Sequence, residues 1–400
     1  MTSARGRLRS PVAIVGYGLS PIERRSSKPL GALAIETALA AIGDAGLRKE
    51  DVDGFTTGAV LPSAGGHAAV DGVSIVSATW MGEHLGIRPR WSSGFQGYGQ
   101  LPGSVMLAAN AITSGAADYV LLHRALANPA GRYHENPMLQ APGGAQWTAP
   151  QGLWGPPAQI ALPYNEYMQR YGATREEMAT VVVELRNNGS RIPWSYWNGK
   201  PITVDDYMNA RMIADPISIL DCDIPIDGVA AFVLTSAERA RDLPHRPVYV
   251  SGYGQGSPTA LTSGTVWTLD EMMEGGRIAC QRLWESSGLT REDIDLPQLY
   301  DGFSPLVYLW LEVLGYCPEG EAHHFVQNGA ISTATGLPIA SGGGALGNGR
   351  LHGVPQMLEC YLQLSRRAGD RQLANMEVGL ACHSSPHFGG AVLYTTEPST

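Results

Sequence analysis

PVAIVGYGLSP at residues 11–21 returns as PVYVSGYGQGSP at residues 247–258. Each is a short apolar, largely β-branched run that reads as a buried strand, closed by Gly-Tyr-Gly and a Ser-Pro stop. A helical pattern follows in both places. LGALAIETALAAIGDAGL (30–47) carries Leu30, Leu33, Ile35, Leu39 and Ile42 at helical spacing, with Gly46 at the stop, and EMMEGGRIACQRLWESSGL (271–289) is its counterpart. Both continue through Gly-Leu and an acidic Glu-Asp-x-Asp turn into a further strand: LRKEDVDGF at 47–55 and LTREDIDLPQLYDGF at 289–303. A Gly-rich turn entering an apolar helix then appears twice, as GFQGYGQLPGSVMLAANAITSG (94–115) and SGGGALGNGRLHGVPQMLECYLQLS (341–365). Three matches in the same order make the chain a duplication. Alternating strands and helices predict an α/β layer in each half, packed with pseudo-two-fold symmetry.

The repeat sets the domain organisation. DGVAAFVLTSAERARDL (227–243) reads as a strand and short helix closing the first half, with a linker near Pro244. The first half is therefore 1–125 plus 223–244, the second 245–400, and 126–222 an insertion. The insertion is dense in Pro, Gly, Trp and Tyr, with helical pieces around 164–187. It reads either as a surface excursion packed on its own aromatics or as an apolar lid over substrate, carrying Trp147, Trp154, Trp194 and Trp197.

Composition narrows the function. The 400 residues carry 28 basic and 37 acidic side chains, a net charge of −9. Without a basic field, binding to nucleic acid or to an anionic membrane is not expected. Only 16% of residues are charged, below the usual share of about 25%, which predicts surface covered by a second subunit. The five cysteines, Cys222, Cys280, Cys317, Cys360 and Cys382, are odd in number and widely spaced. They form neither a disulfide framework nor a CxxC zinc site. No signal peptide is read at the N-terminus and no apolar run approaches the roughly 18 residues of a membrane span, so a soluble cytoplasmic protein is expected. No metal is expected either: Ser-Ser-Pro separates His383 from His387, and His323-His324 reads as a solvated loop. GYGQG (252–256) lacks dinucleotide-binding spacing and belongs to the repeat.

Over nearly its whole length the chain resembles the thiolase superfamily, in its sterol-carrier-protein-X and lipid-transfer-protein branch. VAIVGYG, the repeated acidic turn, DGVAAFVLTSAERA and SGGGALGNGRLHG carry the resemblance. It implies a duplicated α/β fold, with two five-stranded mixed sheets and helices in a layered sandwich. It also implies a homodimer. In ordinary thiolases a nucleophilic Cys opens the first-half Gly-rich helix; here Tyr98 falls at that position, and residues 1–221 contain no Cys. Acyl transfer through an enzyme thioester needs a thiolate there. The other motifs match Tyr300-Asp301-Gly302-Phe303, Gly349-Arg350-Leu351-His352-Gly353 and the loop beginning Cys382-His383-Ser384.

YDGFSP (300–305) resembles the lipid-transfer-protein-type aldolases of steroid side-chain breakdown. The resemblance implies a lyase that cleaves a β-hydroxy acyl-CoA to a ketone and a shorter acyl-CoA such as propionyl-CoA. It further implies a small OB-fold, zinc-ribbon partner forming a heterotetramer. Those aldolases carry a second Tyr near the position of Arg350, which this chain lacks. CoA enters as part of the substrate, and no bound cofactor is expected. A noncanonical thiolase using Cys382 and a non-catalytic acyl-CoA or lipid-binding scaffold stay open as alternatives.

Retro-aldol cleavage needs a base for the β-hydroxyl proton and donors for the thioester enolate. Tyr300 is the candidate base, with Arg350 as the charge that lowers its pKa. His352 would donate to the enolate or shuttle a proton, and Cys382 would protonate the enolate carbon. Tyr98, Asp301, Arg350, Gly342, Gly343 and His383 are the candidate substrate-binding residues, the glycines by freeing backbone N–H groups for an oxyanion. Each has a plainer reading: a packed Tyr, a capping His, a small buried thiol, glycines for close layer packing.

Overall fold

The computed structural model describes residues 10–58, 69–94, 100–127, 145–153, 155–258, 266–387 and 389–398. Its strands are β1 (Val12–Leu19), β2 (Gly54–Thr57), β3 (Trp91–Gly94), β4 (Tyr119–Leu126), β5 (Met212–Ala214), β6 (Ile217–Ser218), β7 (Gly228–Ser236), β8 (Val248–Gln255), β9 (Leu296–Gln298), β10 (Val378–His383) and β11 (Gly390–Thr395). Nine of them form one sheet in the order β3-β2-β4-β7-β1-β8-β11-β10-β9, while β5 and β6 form a separate hairpin.

The order shows the duplication. Outward from the centre the first half runs β1, β7, β4, β2, and the second runs β8, β11, β10, β9. Orientations match step by step: antiparallel, antiparallel, then parallel in each half. The expected pair of five-stranded sheets is thus one continuous sheet of five plus four strands. Two facts account for the difference. β1 and β8 are antiparallel neighbours at the pseudo-axis, with Val12, Ala13 and Ile14 opposite Val250, Tyr249 and Val248, so neither half keeps a free edge there. The second half has no counterpart of β3 among the described residues.

Alternation along the strands builds the layers. Val12, Ile14, Val248 and Val250 face a central apolar cluster that holds Val105 and Ala109 of the helix Gln100–Thr113 and Leu358 and Tyr361 of the helix Val354–Leu364. Ala13, Val15 and Tyr249 face an outer cluster under the helix Leu30–Asp44. Leu380, Cys382 and Leu393 face the other outer cluster, under the helices Leu269–Ser287 and Pro305–Val313.

The glycines of the repeated strands now have a physical cause. A Cβ at Gly18 would lie 2.3 Å from the Thr37 carbonyl oxygen, and one at Gly254 would lie 2.0 Å from that of Ala279. In both copies the following helix rests directly on the strand backbone, which only Gly allows. The insertion is more deeply built in than either sequence reading. Tyr164, Tyr167, Met178, Val182 and Leu185, from its helices Gly155–Tyr171 and Arg175–Ser190, join the outer cluster of the second half. Trp147 is 74% exposed, whereas Trp197 stacks on Arg186, whose guanidinium carbon lies 3.6 Å from the ring centroid. Trp194 packs half-buried against the central cluster, and Trp154 lies outside the described residues.

Candidate active site

Tyr300 follows β9, and Gly302 makes room for it: a Cβ there would sit 2.5 Å from the Tyr300 hydroxyl oxygen. The ring packs on His383, centroids 5.1 Å apart. Among the described residues no group hydrogen-bonds to the hydroxyl. Burial, then Asp223, then Asp301 push the phenol well above its ordinary pKa, and Arg124 alone acts in the other direction.

Arg124 is the cation of the site, not Arg350. It stands on β4, buried, and its Nη1 donates to the Gly58 carbonyl at 3.2 Å. Its Nη2 lies 2.9 Å from Nδ1 of His352. A guanidinium can only donate, so Nδ1 accepts and the imidazole proton sits on Nε2. Burial and the flanking cations hold His352 well below its ordinary pKa, hence neutral. Its backbone sits at φ 40, a left-handed conformation that non-Gly residues adopt at a cost. The His352 carbonyl accepts from Nε2 of His383 at 2.7 Å. His383 is pushed down to about 3 by burial, and among the described residues its buried Nδ1 has no partner.

Arg350 is committed elsewhere. Its Nε and Nη2 both lie 2.5 Å from Oδ1 of Asp223, a buried ion pair, while Oδ2 of Asp223 has no partner among the described residues. The Asp223 N–H donates to the Gly302 carbonyl, so this pair braces the turn that carries Tyr300.

Asp301 is an anchor within the fold. It accepts from the N–H groups of Ala345 at 2.7 Å and Leu346 at 2.9 Å and from Nε2 of Gln356 at 2.7 Å. Burial pushes its carboxyl up to about 7 against the pull of those bonds. It thereby fastens the short helix Gly344–Asn348 to the Tyr300 turn. The same contacts answer for the glycines. A Cβ at Gly342 would lie 2.8 Å from Glu359, and one at Gly343 would lie 2.6 Å from Gly189. The loop's N–H groups at 343, 345, 346 and 347 all bond within the protein, so close packing accounts for Gly343, and those four donors are not offered to an oxyanion.

Cys382 sits on β10 in the outer apolar cluster, whereas His383, next along the strand, takes the opposite face. Burial raises its thiol well above the ordinary value. Tyr98 lies outside the described residues. The structure therefore brings Tyr300, His352 and His383 together, adds Arg124, and sets Arg350 and Asp301 as supports. Arg124 and Asp223 were not singled out from the sequence. A signal existed for the first: His-Arg interrupts the otherwise apolar strand YVLLHRAL (119–126), and buried charge in a strand needs a reason.

A duplicated, layered sheet with its polar cluster between the halves is the architecture of thiolase-like enzymes, and the chain belongs to that superfamily. Residues 260–392 match the family of thiolase C-terminal domain-like proteins. The 17-hydroxy-3-oxo-4-pregnene-20-carboxyl-CoA lyase of Mycobacterium tuberculosis is 36% identical over 367 residues, 89% of this chain and 92% of its own. The steroid side-chain-cleaving aldolase of Thermomonospora curvata is 36% identical over 362 residues, 88% of this chain and 90% of its own. Among solved structures, one described as an Ltp2–ChsH2(DUF35) aldolase aligns with a TM-score of 0.86 at 31% identity, covering 97% of this chain and 98% of that one. Human mitochondrial 3-ketoacyl-CoA thiolase shares the fold at 15% identity, with a TM-score of 0.66 over 98% of this chain and all of that one.

Proposed function

We propose that this enzyme is a carbon–carbon lyase that splits a β-hydroxy acyl-CoA by retro-aldol cleavage into a ketone and a shorter acyl-CoA, with a steroid side chain as the acyl group. One observation carries the mechanism: residues 1–221 hold no Cys, and Cys382, next to His383 on β10, turns its thiol into the outer apolar cluster, away from the face that His383 takes. Covalent acyl transfer needs a thiolate; retro-aldol cleavage needs none. The name of the M. tuberculosis relative supports the substrate class. A hydroxyl on carbon 17 and a carboxyl-CoA on carbon 20 place the hydroxyl β to the thioester, and breaking the bond between those carbons gives a 17-ketone and propionyl-CoA.

In the proposed cycle the Tyr300 phenolate takes the β-hydroxyl proton. The C–O bond becomes a carbonyl as the Cα–Cβ bond breaks, and the electron pair moves onto the thioester as an enolate. Nε2–H of His352, oriented by Arg124, donates to the enolate oxygen. Tyr300 then returns its proton to the α-carbon, so the enzyme ends as it began. CoA comes and goes with substrate and product, and no bound cofactor enters these steps. We also propose a homodimer joined by a small OB-fold, zinc-ribbon partner, in the cytoplasm. The pairing of Ltp2 with ChsH2(DUF35) in the structural neighbour supports the partner. No helix among the described residues is long and apolar enough to cross a membrane.

The test is product analysis on a 17-hydroxy steroid 20-carboxyl-CoA with free CoA withheld, with and without the partner. Release of the 17-ketone and propionyl-CoA is expected. Product only from a β-keto acyl-CoA plus free CoA would make the chain a thiolase, and binding without turnover would make it a scaffold.

A further inference from the structure

The sequence reading put His323-His324 in a solvated loop; the structure buries one of the two. Both lie on the short helix Ala322–Phe325, where His323 is 1% exposed and the His324 side chain is 59% exposed. Facing them is Glu177, in the first turn of the insertion helix Arg175–Ser190. One ligand atom from each of Glu177, His323 and His324 lies within 4.8 Å of the others.

The hydrogen bonds around His323 settle which nitrogen is available. Its Nδ1 is 3.5 Å from the Tyr167 hydroxyl oxygen, and that hydroxyl donates to Oε1 of Glu312 at 2.6 Å. The Tyr167 proton is spent on Glu312, so the contact to Nδ1 requires the imidazole to be the donor. Nε2 then carries a bare lone pair, and it is buried with no partner among the described residues. A metal-bound imidazole shows this pattern, its far nitrogen donating to a fixed acceptor that is itself hydrogen-bonded to a carboxylate. Glu177 is likewise half committed: Oε2 accepts from the Thr174 N–H and hydroxyl, both at 2.9 Å, which leaves Oε1 facing the histidines. Oε1 is 3.2 Å from Nδ1 of His324, close to the spacing of about 3.3 Å between two donors on one tetrahedral zinc ion.

We propose that Glu177, His323 and His324 bind a divalent transition metal of the zinc class, with water in the fourth position, and clamp the insertion to the second half. Two imidazoles and one carboxylate suit zinc and its neighbours in the Irving–Williams series, whereas calcium and magnesium take oxygen ligands. The exposed His324 gives the ion a way in. Tyr167 is a positioning residue for the site.

The test is calorimetric titration of zinc chloride into the chelator-treated full chain, beside the His324→Ala and Tyr167→Phe variants. His324 is exposed, so its removal leaves the core packing untouched, and circular dichroism checks the fold of both variants. One site of 1:1 stoichiometry is expected, at least tenfold weaker in His324→Ala. Tyr167→Phe, which keeps the ring and loses the acceptor, is expected to weaken it by about 10–100-fold. Cobalt(II) titrated instead is expected to give a tetrahedral visible spectrum in the wild type and to lose it in His324→Ala. Zinc binding of equal strength in the wild type and His324→Ala would place the ion elsewhere and overturn the proposal. So would the absence of a 1:1 site in the wild type.

Discussion

The two halves share a strand scheme and differ in what it carries. In both, a Gly-Tyr-Gly strand lets a helix rest on its backbone, and the sheet continues through the same antiparallel and parallel steps. Yet among the described residues the first half gives the site only Arg124, while the second gives Tyr300, Arg350, His352 and His383. The shared features are those that packing demands. The divergent ones lie on strand ends and turns, where a side chain can change without disturbing a layer. Among the described residues, duplication has preserved the frame twice and left most of the candidate site's side chains on one copy.

The most severe way to break this comparison is to disable the second half's turn. Tyr300→Phe is expected to lower kcat by 10²–10⁴-fold, about the share that general acid–base catalysis supplies, with an unchanged circular dichroism spectrum. Steady-state turnover measures it. With the phenolate as the proposed base and its pKa raised, activity in the wild type is expected to climb with pH from neutrality upward. Arg124→Gln removes the one group that lowers that pKa, and its pH–rate curve is expected to rise later. An unshifted curve would take Arg124 out of the role given to it.

A smaller effect separates frame from chemistry within the second half. Asp223→Asn leaves Arg350 buried beside a neutral partner, a break expected to cost about 3–5 kcal/mol in denaturant unfolding. It also loosens the turn under Tyr300, so activity falls together with stability. The smallest effect tests the repeat itself. Gly18→Ala and Gly254→Ala each push a Cβ against a helix carbonyl, and each is expected to cost about 1–3 kcal/mol. Similar losses would confirm one packing device used twice; a loss at only one position would separate the copies.

Much of the frame was legible in the sequence because periodicity and repetition report packing directly. The helices expected at 30–47 and 271–289 are Leu30–Asp44 and Leu269–Ser287, the second opened by a Thr268–Glu271 capping box. The union of the halves into one sheet was not legible, since pairing of β1 with β8 depends on contacts that no local pattern encodes. The site was half legible. YDGF and the His of GRLHG announced themselves by residue type, but Arg350 and Arg124 differ only in what folds next to them. Arg350 meets Asp223, which lies 127 positions away. The Gly-rich loop suggested an oxyanion cradle because glycine that frees an N–H and glycine that admits a neighbouring backbone look alike in one dimension.

The central claim is that the bond breaks with no covalent link to the protein. Intact-protein mass spectrometry on samples quenched during steady-state turnover of the β-hydroxy acyl-CoA tests it most directly. The account predicts the unmodified mass at every time point while ketone accumulates. An acyl adduct that forms and decays at the turnover rate, mapped to Cys382 or any other thiol, would contradict it.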